Sequence, residues 1–433
     1  MSPPRKNVLI FPAGSEIGFE LYNSLRFNLH VELFGASGKP DHARFIYPSE
    51  RYAEGDYYIQ NCDFPDKFNA LLRRWAIDFI YPTHDSIALH LAACQSRLAA
   101  RVIGSPYASA LLARRKSLTY KLFADEAFCP GVYPEPYEPP PKFPVFLKPD
   151  EGQGGQGTCL VHDAAELRRQ VAGNPGLLVC EHLPGEELSV DCFTDRHGVL
   201  RFIGPRTRER VTIGISFESA TVPLSPDVQA IAESINRRVK LRGAWFFQVK
   251  QNATCQWKLL EFAVRPSSTM GLYRQCGVNF ALLSLFDAMD SEVRIVSNNY
   301  PARLSRSLQS RYLLEYRWQH LYIDFDDTLI INGKVNVQAL ALLYQCRNRG
   351  HRVSLLTKHR YDIRESLRQA CIPEALFDEI LVLRELDEKH DFIDPEAAIF
   401  VDNHFPDREK VHRLLGVAVF DVDGIESLIG GLM

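Results

Sequence analysis

Asp324 and Asp326 stand two residues apart where the apolar run LYIDF gives way to DDTLI. Just past a strand, residues i and i+2 project from the same side, so both carboxylates reach one phosphate: one attacks phosphorus while the other protonates the leaving oxygen. A single carboxylate cannot do both at once. Thr357 closes the apolar run VSLLT, Lys389 follows, and Asp402 closes AIFVD, so a hydroxyl, an ammonium and a carboxylate come in order behind the pair. A second set of phosphate-handling residue types lies in FPVFLKPDEGQGGQGTCLV, with Lys148 ending one strand and Gly152, Gly154, Gly155 and Gly157 behind it. Gly152, Gly154 and Gly157 satisfy G-x-G-x-x-G, but the strand TCLV follows where a dinucleotide fold needs a helix, and no G-K-[ST] follows as a P-loop needs. What is left is a side-chain-poor hairpin whose backbone N–H groups can close over phosphates. Gln248 and Glu261, on the two strands of GAWFFQVKQNATCQWKLLEFAVRP, can converge on one metal ion. Mg²⁺ prefers such sparse oxygen ligands, completed by phosphates. Phosphoryl transfer asks for positioned cations more than covalent help, which suits Lys148 and Glu261.

The elements that must hold these groups read as follows. Residues 7–108 alternate strands and helices, NVLIFPAG, SEIGFELYNSLR, HVELFGAS and FNALLRRWAIDFIYPTHD, which predicts a parallel α/β unit. Gly14 and Gly18 at its first turn, and His84 and Asp85 just past a strand, either meet a ligand or serve helix packing and capping. ASALLARRKSLTYKLFADEAFCPG predicts one helix on which Lys116, among Arg114, Arg115 and Lys121, is by spacing alone as much part of a solvated basic face as a site residue, and five prolines between 134 and 141 make a connector. HDAAELRRQVAG predicts a helix capped by Asp163, and LLVCEHLPGEELSVDCFTD two strands about a Pro-Gly turn. SPDVQAIAESINRRVKLRG predicts a helix with Val228, Ile231, Ala232, Ile235 and Val239 on one face. In GPRTRERVTIG, Arg206, Arg208 and Arg210 alternate as on one strand face, offering cations for an anionic substrate or forming an ion-paired sheet surface. Residues 301–318 predict a basic, aromatic helical joint, and the pattern restarts near 319. The expected division is 1–108, 109–300, a linker helix at 301–318, and 319–433.

The 433 residues suffice for two to four units of about 100–200 residues. A net charge of −3 leaves no broad basic face for nucleic acid or anionic membrane. Ten scattered cysteines without a C-x-x-C pair read as reduced thiols, the N-terminal apolar run is too short for a signal peptide, and no run approaches the roughly 18 apolar residues of a spanning helix. The expected location is the cytoplasm.

The order strand-Lys, glycine hairpin, strand with Glu, P-G-x-E strand, helix and paired strands ending E-x-x-x-R resembles the ATP-grasp superfamily over roughly residues 5–300, nearest its carbamoyl-phosphate-synthetase-like branch. The resemblance implies ATP and Mg²⁺, with Lys116 and Lys148 on the phosphates and Gly152–Gly157 as lid. It also implies Glu181, His182 and Leu183 as adenine hinge, Glu187 near ribose, Gln248 and Glu261 on magnesium, and Arg265 on the transferred phosphate. Members join a carboxylate to an amine or thiol through an acyl phosphate. The pattern usually has an asparagine two residues after the metal glutamate, where this chain has Ala263.

LYIDFDDTLI with Thr357, Lys389 and Asp402 resembles the haloacid-dehalogenase-like (HAD) phosphatases. By that resemblance Asp324 is the nucleophile and Asp326 the general acid, then base. Thr357 and Lys389 neutralise the phosphoryl group, and Asp324, Asp402 and the Asp326 carbonyl hold Mg²⁺. Asn403 stands where a second aspartate is common, with Asp407 as a substitute metal support; Lys358 and His359 either meet the substrate's anionic part or are surface residues. Only about 30 residues separate Asp324 from Thr357, too few for a large cap domain. The expectation is thus an α/β and α+β multidomain chain: a parallel α/β pre-ATP-grasp domain, an ATP-grasp fold of two α+β subdomains, and a Rossmann-like HAD domain with little or no cap. It is expected to act as a carboxylate–amine ligase fused to a phosphatase, taking small carboxylates and amines, one of them phosphorylated, with a homodimer as the assembly carried forward. The alternative is a phosphatase whose ATP-grasp region only senses nucleotide. A pure scaffold would leave D-x-D-x-T unexplained.

Overall fold

β1 (Lys6–Phe11) turns Val8 and Ile10 into one core and Leu9 and Phe11 into another, all buried. Burial on both faces belongs to a parallel sheet with helices on each side. β2 (Val31–Ser37), β3 (Tyr52–Glu54), β4 (Phe79–Pro82) and β5 (Arg101–Val102) join it in parallel, in the order β3-β2-β1-β4-β5. α1 (Glu16–Leu25) buries Leu21 and Leu25 on one face, while α2 (Phe64–Arg74) and α3 (Asp85–Cys94) cover the other with Phe64, Phe68 and Leu91. The computed structural model describes residues 5–134, 142–152, 154–212, 215–298, 300–307, 312, 314 and 316–429, divided into two units, Met1–Leu308 and Gln309–Met433. Most of the proline connector lies outside the described residues.

The single helix expected at residues 108–131 is two: α4 (Tyr107–Arg114) and α5 (Lys116–Leu122), broken at the extended Arg115 (φ −109°, ψ 108°). Asp150 makes the break, because its carbonyl accepts from Lys116 N (3.1 Å) and its carboxylate from Ser117 N (2.7 Å) and Arg115 Nε (3.2 Å). A remote residue therefore caps α5.

β6 (Val132–Tyr133), β7 (Val145–Pro149), β8 (Cys159–Val161) and β9 (Leu177–Glu181) form an antiparallel sheet in the order β6-β9-β7-β8. α6 (Ala164–Gly173) starts at Asp163, whose carboxylate accepts from Ala165 N and Glu166 N. Glu166 in turn accepts from His162 N, the residue before the cap.

β10 (Glu187–Thr194), β11 (Leu200–Thr207), β12 (Arg210–Thr212), β13 (Ile215–Ala220), β14 (Gly243–Gln251) and β15 (Trp257–Ala263) follow. One sheet runs β11-β10-β14-β15. Its back packs Val190, Cys192, Phe247 and Val249 on α7 (Pro226–Arg238), whose Val228, Ile231, Ala232 and Ile235 are buried. Burial of this kind contributes roughly 1.5–3 kcal/mol per large aliphatic side chain. α8 (Gly271–Gln275) and α9 (Phe280–Ala288) complete the region.

The three alternating arginines do not share a strand face. β11 ends at Thr207 and β12 starts at Arg210, so the chain turns between Arg206 and Arg210. The linker helix is also absent from the described part of residues 301–318: β16 (Arg303–Ser305) instead pairs antiparallel with β13, continuing the sheet β12-β13-β16. Alternation of exposed Arg303 and Ser305 about half-buried Leu304 is an edge-strand pattern.

In the second unit β17 (His320–Ile323) leads to a two-stranded hairpin, β18 (Ile330–Ile331) and β19 (Lys334–Val335). α10 (Val337–Arg349), β20 (Arg352–Thr357), α11 (Ile363–Gln369), β21 (Glu379–Val382), β22 (Ala398–Val401), α12 (Phe405–Leu415), β23 (Ala418–Phe420) and α13 (Ile425–Leu428) follow. The sheet is parallel in the order β21-β20-β17-β22-β23. Its faces divide cleanly, Leu321, Ile323, Leu355 and Val401 in one core and Tyr322, Leu356 and Phe400 in the other.

Candidate functional site

Sheet register gathers the first site. Arg206, Ser189, Gln248 and Glu261 are successive cross-strand partners over β11, β10, β14 and β15, and the next row on that face is Gly204, Asp191, Phe246 and Ala263. The front of this sheet is thus polar along the row from Arg206 to Glu261 and turns apolar at Phe246 and Ala263, where its back is apolar throughout. A cavity of about 350 Å³ opens beside it, apolar at Pro130, Phe146, Leu183 and Leu260 and charged at Lys116, Lys148 and Glu261. An apolar slot joined to a cationic end fits a flat base carrying an anionic tail.

α5 supplies two neighbours one turn apart, Lys116 and Tyr120. Lys116 Nζ lies 3.5 Å from Glu261 Oε2. Lys148, 6% exposed, donates to the Tyr120 hydroxyl, which donates to the Leu260 carbonyl (2.6 Å). Burial pulls the Lys148 ammonium below its usual range, and the Lys116 charge adds to this against Cys180 and Glu261. A lysine so held gains from an arriving anion. Gly154, Gly155 and Gly157 take φ of 63°, 71° and 70°, left-handed values that a side chain disfavours, and a Cβ on Gly157 would stand 3.0 Å from Pro149 Cγ. Gly152, Gly154 and Gly155 line the cavity.

Glu181, His182 and Leu183 line the same cavity, and Glu181 Oε1 is buried without a hydrogen-bond partner. Burial, then Lys250, lowers the His182 pKa. Glu187 is held by Arg208 (2.7 Å) and faces Lys250 (3.6 Å). Gln248 and Glu261 present side-chain oxygens from facing positions, a donor set that fits Mg²⁺. Among the described residues no cluster of three His, Cys, Asp or Glu side chains forms, so a cation there draws further oxygens from its ligand.

A second cavity, about 280 Å³, shares Lys116, Arg208, Gln248 and Glu261 and extends to Ala263, Arg265, Ser267 and Asp85. Arg265 donates to Asp85 (2.6 Å). Burial alone would raise the Asp85 pKa, but the charge and hydrogen bond of Arg265 reverse it and hold the carboxyl below its usual range. Buried Arg206 grips Asp191 through Nε (2.6 Å) and Nη2 (3.2 Å) and reaches Ser267 Oγ (2.9 Å). Arg210 lies elsewhere, paired with Glu218 and the Arg306 carbonyl. Gly14 and Gly18 belong to packing: a Cβ would strike the Asp41 carboxylate and the Ala13 carbonyl.

In the second unit the parallel register brings Asp324 and Asp402 out directly after paired Ile323 and Val401, with Thr357 ending the strand on the other side. Lys389 Nζ bridges the two carboxylates, 2.8 Å from Asp324 and 2.5 Å from Asp402. Burial pushes Asp324 up to about 6 against the pull of Lys389, and burial likewise raises Asp402. The two carboxylates hold Lys389 charged. His359 bonds both oxygens of Asp326 through Nδ1 (3.0 Å) and Ser366 Oγ through Nε2 (2.8 Å). Asp407 accepts from His404 (3.0 Å) and stands 4.0 Å from Lys389, and Asn403 bonds Thr328. Tyr120, Asp150, Asp191 and Ser267 escaped the sequence reading, since only strand pairing brings them to their partners.

A family model described as ATP-grasp in the biosynthetic pathway with Ter operon matches residues 174–309. No curated protein matches the sequence. The biotin carboxylase domain of 2-oxoglutarate carboxylase from Hydrogenobacter thermophilus, a dimer with MgADP, ADP and bicarbonate, is 15% identical, with a TM-score of 0.58 over 70% of this chain and 74% of that one. N5-carboxyaminoimidazole synthetase from Staphylococcus aureus, complexed with ADP, is 16% identical with a TM-score of 0.57 over 70% and 82%. L-amino acid ligase from Bacillus licheniformis is 14% identical with a TM-score of 0.53 over 73% and 84%. No helix among the described residues is long and apolar enough to cross a membrane. At these identities the likeness is one of architecture, and it states what the pairing of β10, β14 and β15 beneath a glycine hairpin amounts to: the chain carries the ATP-grasp fold.

Proposed function

We propose that the chain is a bifunctional enzyme, an ATP-dependent carboxylate–amine ligase joined to a Mg²⁺-dependent phosphatase that acts on a phosphorylated substrate or product. Residues 1–108 and 109–300 serve the first reaction and 319–433 the second. The observation that carries the ligase half is the slot ending at Lys116, Lys148, Gln248 and Glu261. The base enters between Phe146, Leu183 and Leu260, and the two lysines take up charge on the phosphates. A carboxylate oxygen attacks the γ-phosphorus, the bond to the β–γ bridging oxygen breaks, and ADP leaves. The amine nitrogen then attacks the acyl carbon, phosphate departs with the C–O electron pair, and the amine proton goes with it. Gln248 and Glu261 would hold magnesium, which supplies neutralisation of the phosphate oxygens.

The phosphatase half rests on the cluster at the strand ends. Asp324 attacks phosphorus to give an aspartyl phosphate while Asp326, held by His359, protonates the departing oxygen. Water then attacks that phosphorus, Asp326 takes its proton, and Asp324 is released. Thr357 and Lys389 face the transferred charge, and Asp324, Asp402 and the Asp326 carbonyl, oxygen donors all, would hold the magnesium ion.

Incubation with ATP, Mg²⁺ and paired panels of amino acids, phosphorylated amino alcohols and uronic acids, with ADP and phosphate measured, tests both halves. ADP formation that requires both an acid and an amine is expected; none from any pair overturns the ligase. One observation favours a second reading, a nucleotide sensor controlling the phosphatase: Ala263 offers no oxygen in the row after Glu261. A homodimer is part of the proposal and is checked by light scattering.

A further inference from the structure

The second cavity of the first unit is lined by cations that are all ion-paired, yet one of them keeps a donor that its pairing does not use. Of its five arginine and lysine side chains, Lys116 is paired with Glu261, Arg208 with Glu187 and Arg114 with Glu151. Arg265 is matched by Asp85. Arg206 differs: it is 1% exposed, its Nε and Nη2 are spent on Asp191 and Ser267, and its Nη1 is buried with no hydrogen-bond partner while the residue lines the cavity. A guanidinium presents five donors in a fixed fork, and burying one without a partner is costly unless a ligand completes it. Ser267, Ser268 and Thr269 add hydroxyls along the same wall, and Arg306 reaches Ser268 Oγ (3.2 Å). The floor beside Arg206 is the row Asp191, Phe246, Ala263, where the small side chain of Ala263 leaves room.

We propose that this cavity binds an acid with two anionic groups: one, near Lys116 and Glu261, is the carboxylate that is phosphorylated, and the other is gripped by Arg206 Nη1 and the Ser267–Thr269 wall. This rests on the ligase reading and narrows its substrate to dicarboxylates or phosphorylated carboxylates. Ala263 then marks the space given to the second anion.

Calorimetric titration of the full chain with MgADP present, using succinate, glutarate and phosphoserine against butyrate, valerate and serine, measures the subsite directly. At least one dianionic probe should bind tenfold or more tighter than its singly charged counterpart. Arg206→Lys, which keeps a cation for Asp191 but loses the fork, should bring each pair within about twofold while MgADP affinity is unchanged. A thermal melt checks folding, and where Arg206→Lys is unstable, the double variant Arg206→Gln with Asp191→Asn replaces the ion pair by a neutral one. Equal binding within every pair, no binding by any dianionic probe, or a preference surviving both variants overturns the subsite. ADP release measured in parallel with ATP separates the two ideas: Arg206-dependent dianion binding without acid-dependent ADP overturns the ligase alone, and ADP formed equally from both probe classes overturns the subsite alone.

Discussion

The cleft of the first unit and the strand-end cluster of the second both handle charge, but they balance it differently. In the cleft Lys116, Arg265 and Arg206 each have a carboxylate, Glu261, Asp85 and Asp191, drawn from distant parts of the chain, while Lys148 rests on the Tyr120 hydroxyl. In the cluster a single ammonium, Lys389, serves Asp324 and Asp402, and all three are about 5% exposed or less. Glu261, about one-third exposed, can exchange its partner for a ligand at little cost, whereas the cluster is fixed by low dielectric and shared neighbours. One-to-one pairing suits side chains that exchange partners; shared pairing suits carboxylates held in place.

That contrast can be broken at several points. Asp324→Asn should cost roughly 10³-fold or more in phosphomonoester hydrolysis and leave nucleotide binding untouched, read by aryl phosphate turnover beside ADP calorimetry. Asp191→Ala should leave the Arg206 charge buried and unpaired and lower stability by roughly 3–5 kcal/mol, seen in chemical denaturation. Lys148→Ala should reduce ADP formation by roughly 10²–10³-fold with aryl phosphate hydrolysis unchanged, and a loss of both activities would sink the division of labour. His359→Gln should slow alkyl phosphate hydrolysis by about tenfold while sparing substrates with good leaving groups, because only poor leaving groups need the proton of Asp326. The smallest effect is a pH dependence. Asp85 has a folded pKa below its unfolded value, so its contribution is present above about pH 4 and is lost as pH falls through the folded value. Asp85→Asn should therefore lose less stability between pH 5 and 3 than the parent.

Where local periodicity decides structure, the sequence is a sufficient guide. Val228, Ile231, Ala232 and Ile235 face the core as spaced, Asp163 caps its helix, and Gln248 and Glu261 meet across their hairpin. Reading failed where a distant residue intervenes. Arg115 looks like helix interior until Asp150 claims the amides on either side of Lys116 Cα and breaks the run. Arg206 and Arg210 alternate in sequence, but the turn at Arg208 and Glu209 sends them apart. Arg303–Ser305 becomes an edge strand because β13 offers it a partner, which basic and aromatic composition does not reveal. The His359–Asp326 pair spans two strand ends and has no local signature.

Asp150 has one more consequence. It roots the glycine hairpin and at the same time binds the first turn of the helix bearing Lys116 and Tyr120, so the hairpin and both lysines of the cleft share one anchor. The amide protons of Lys116 and Ser117 are therefore built-in reporters of how firmly the hairpin is held, readable by deuterium exchange.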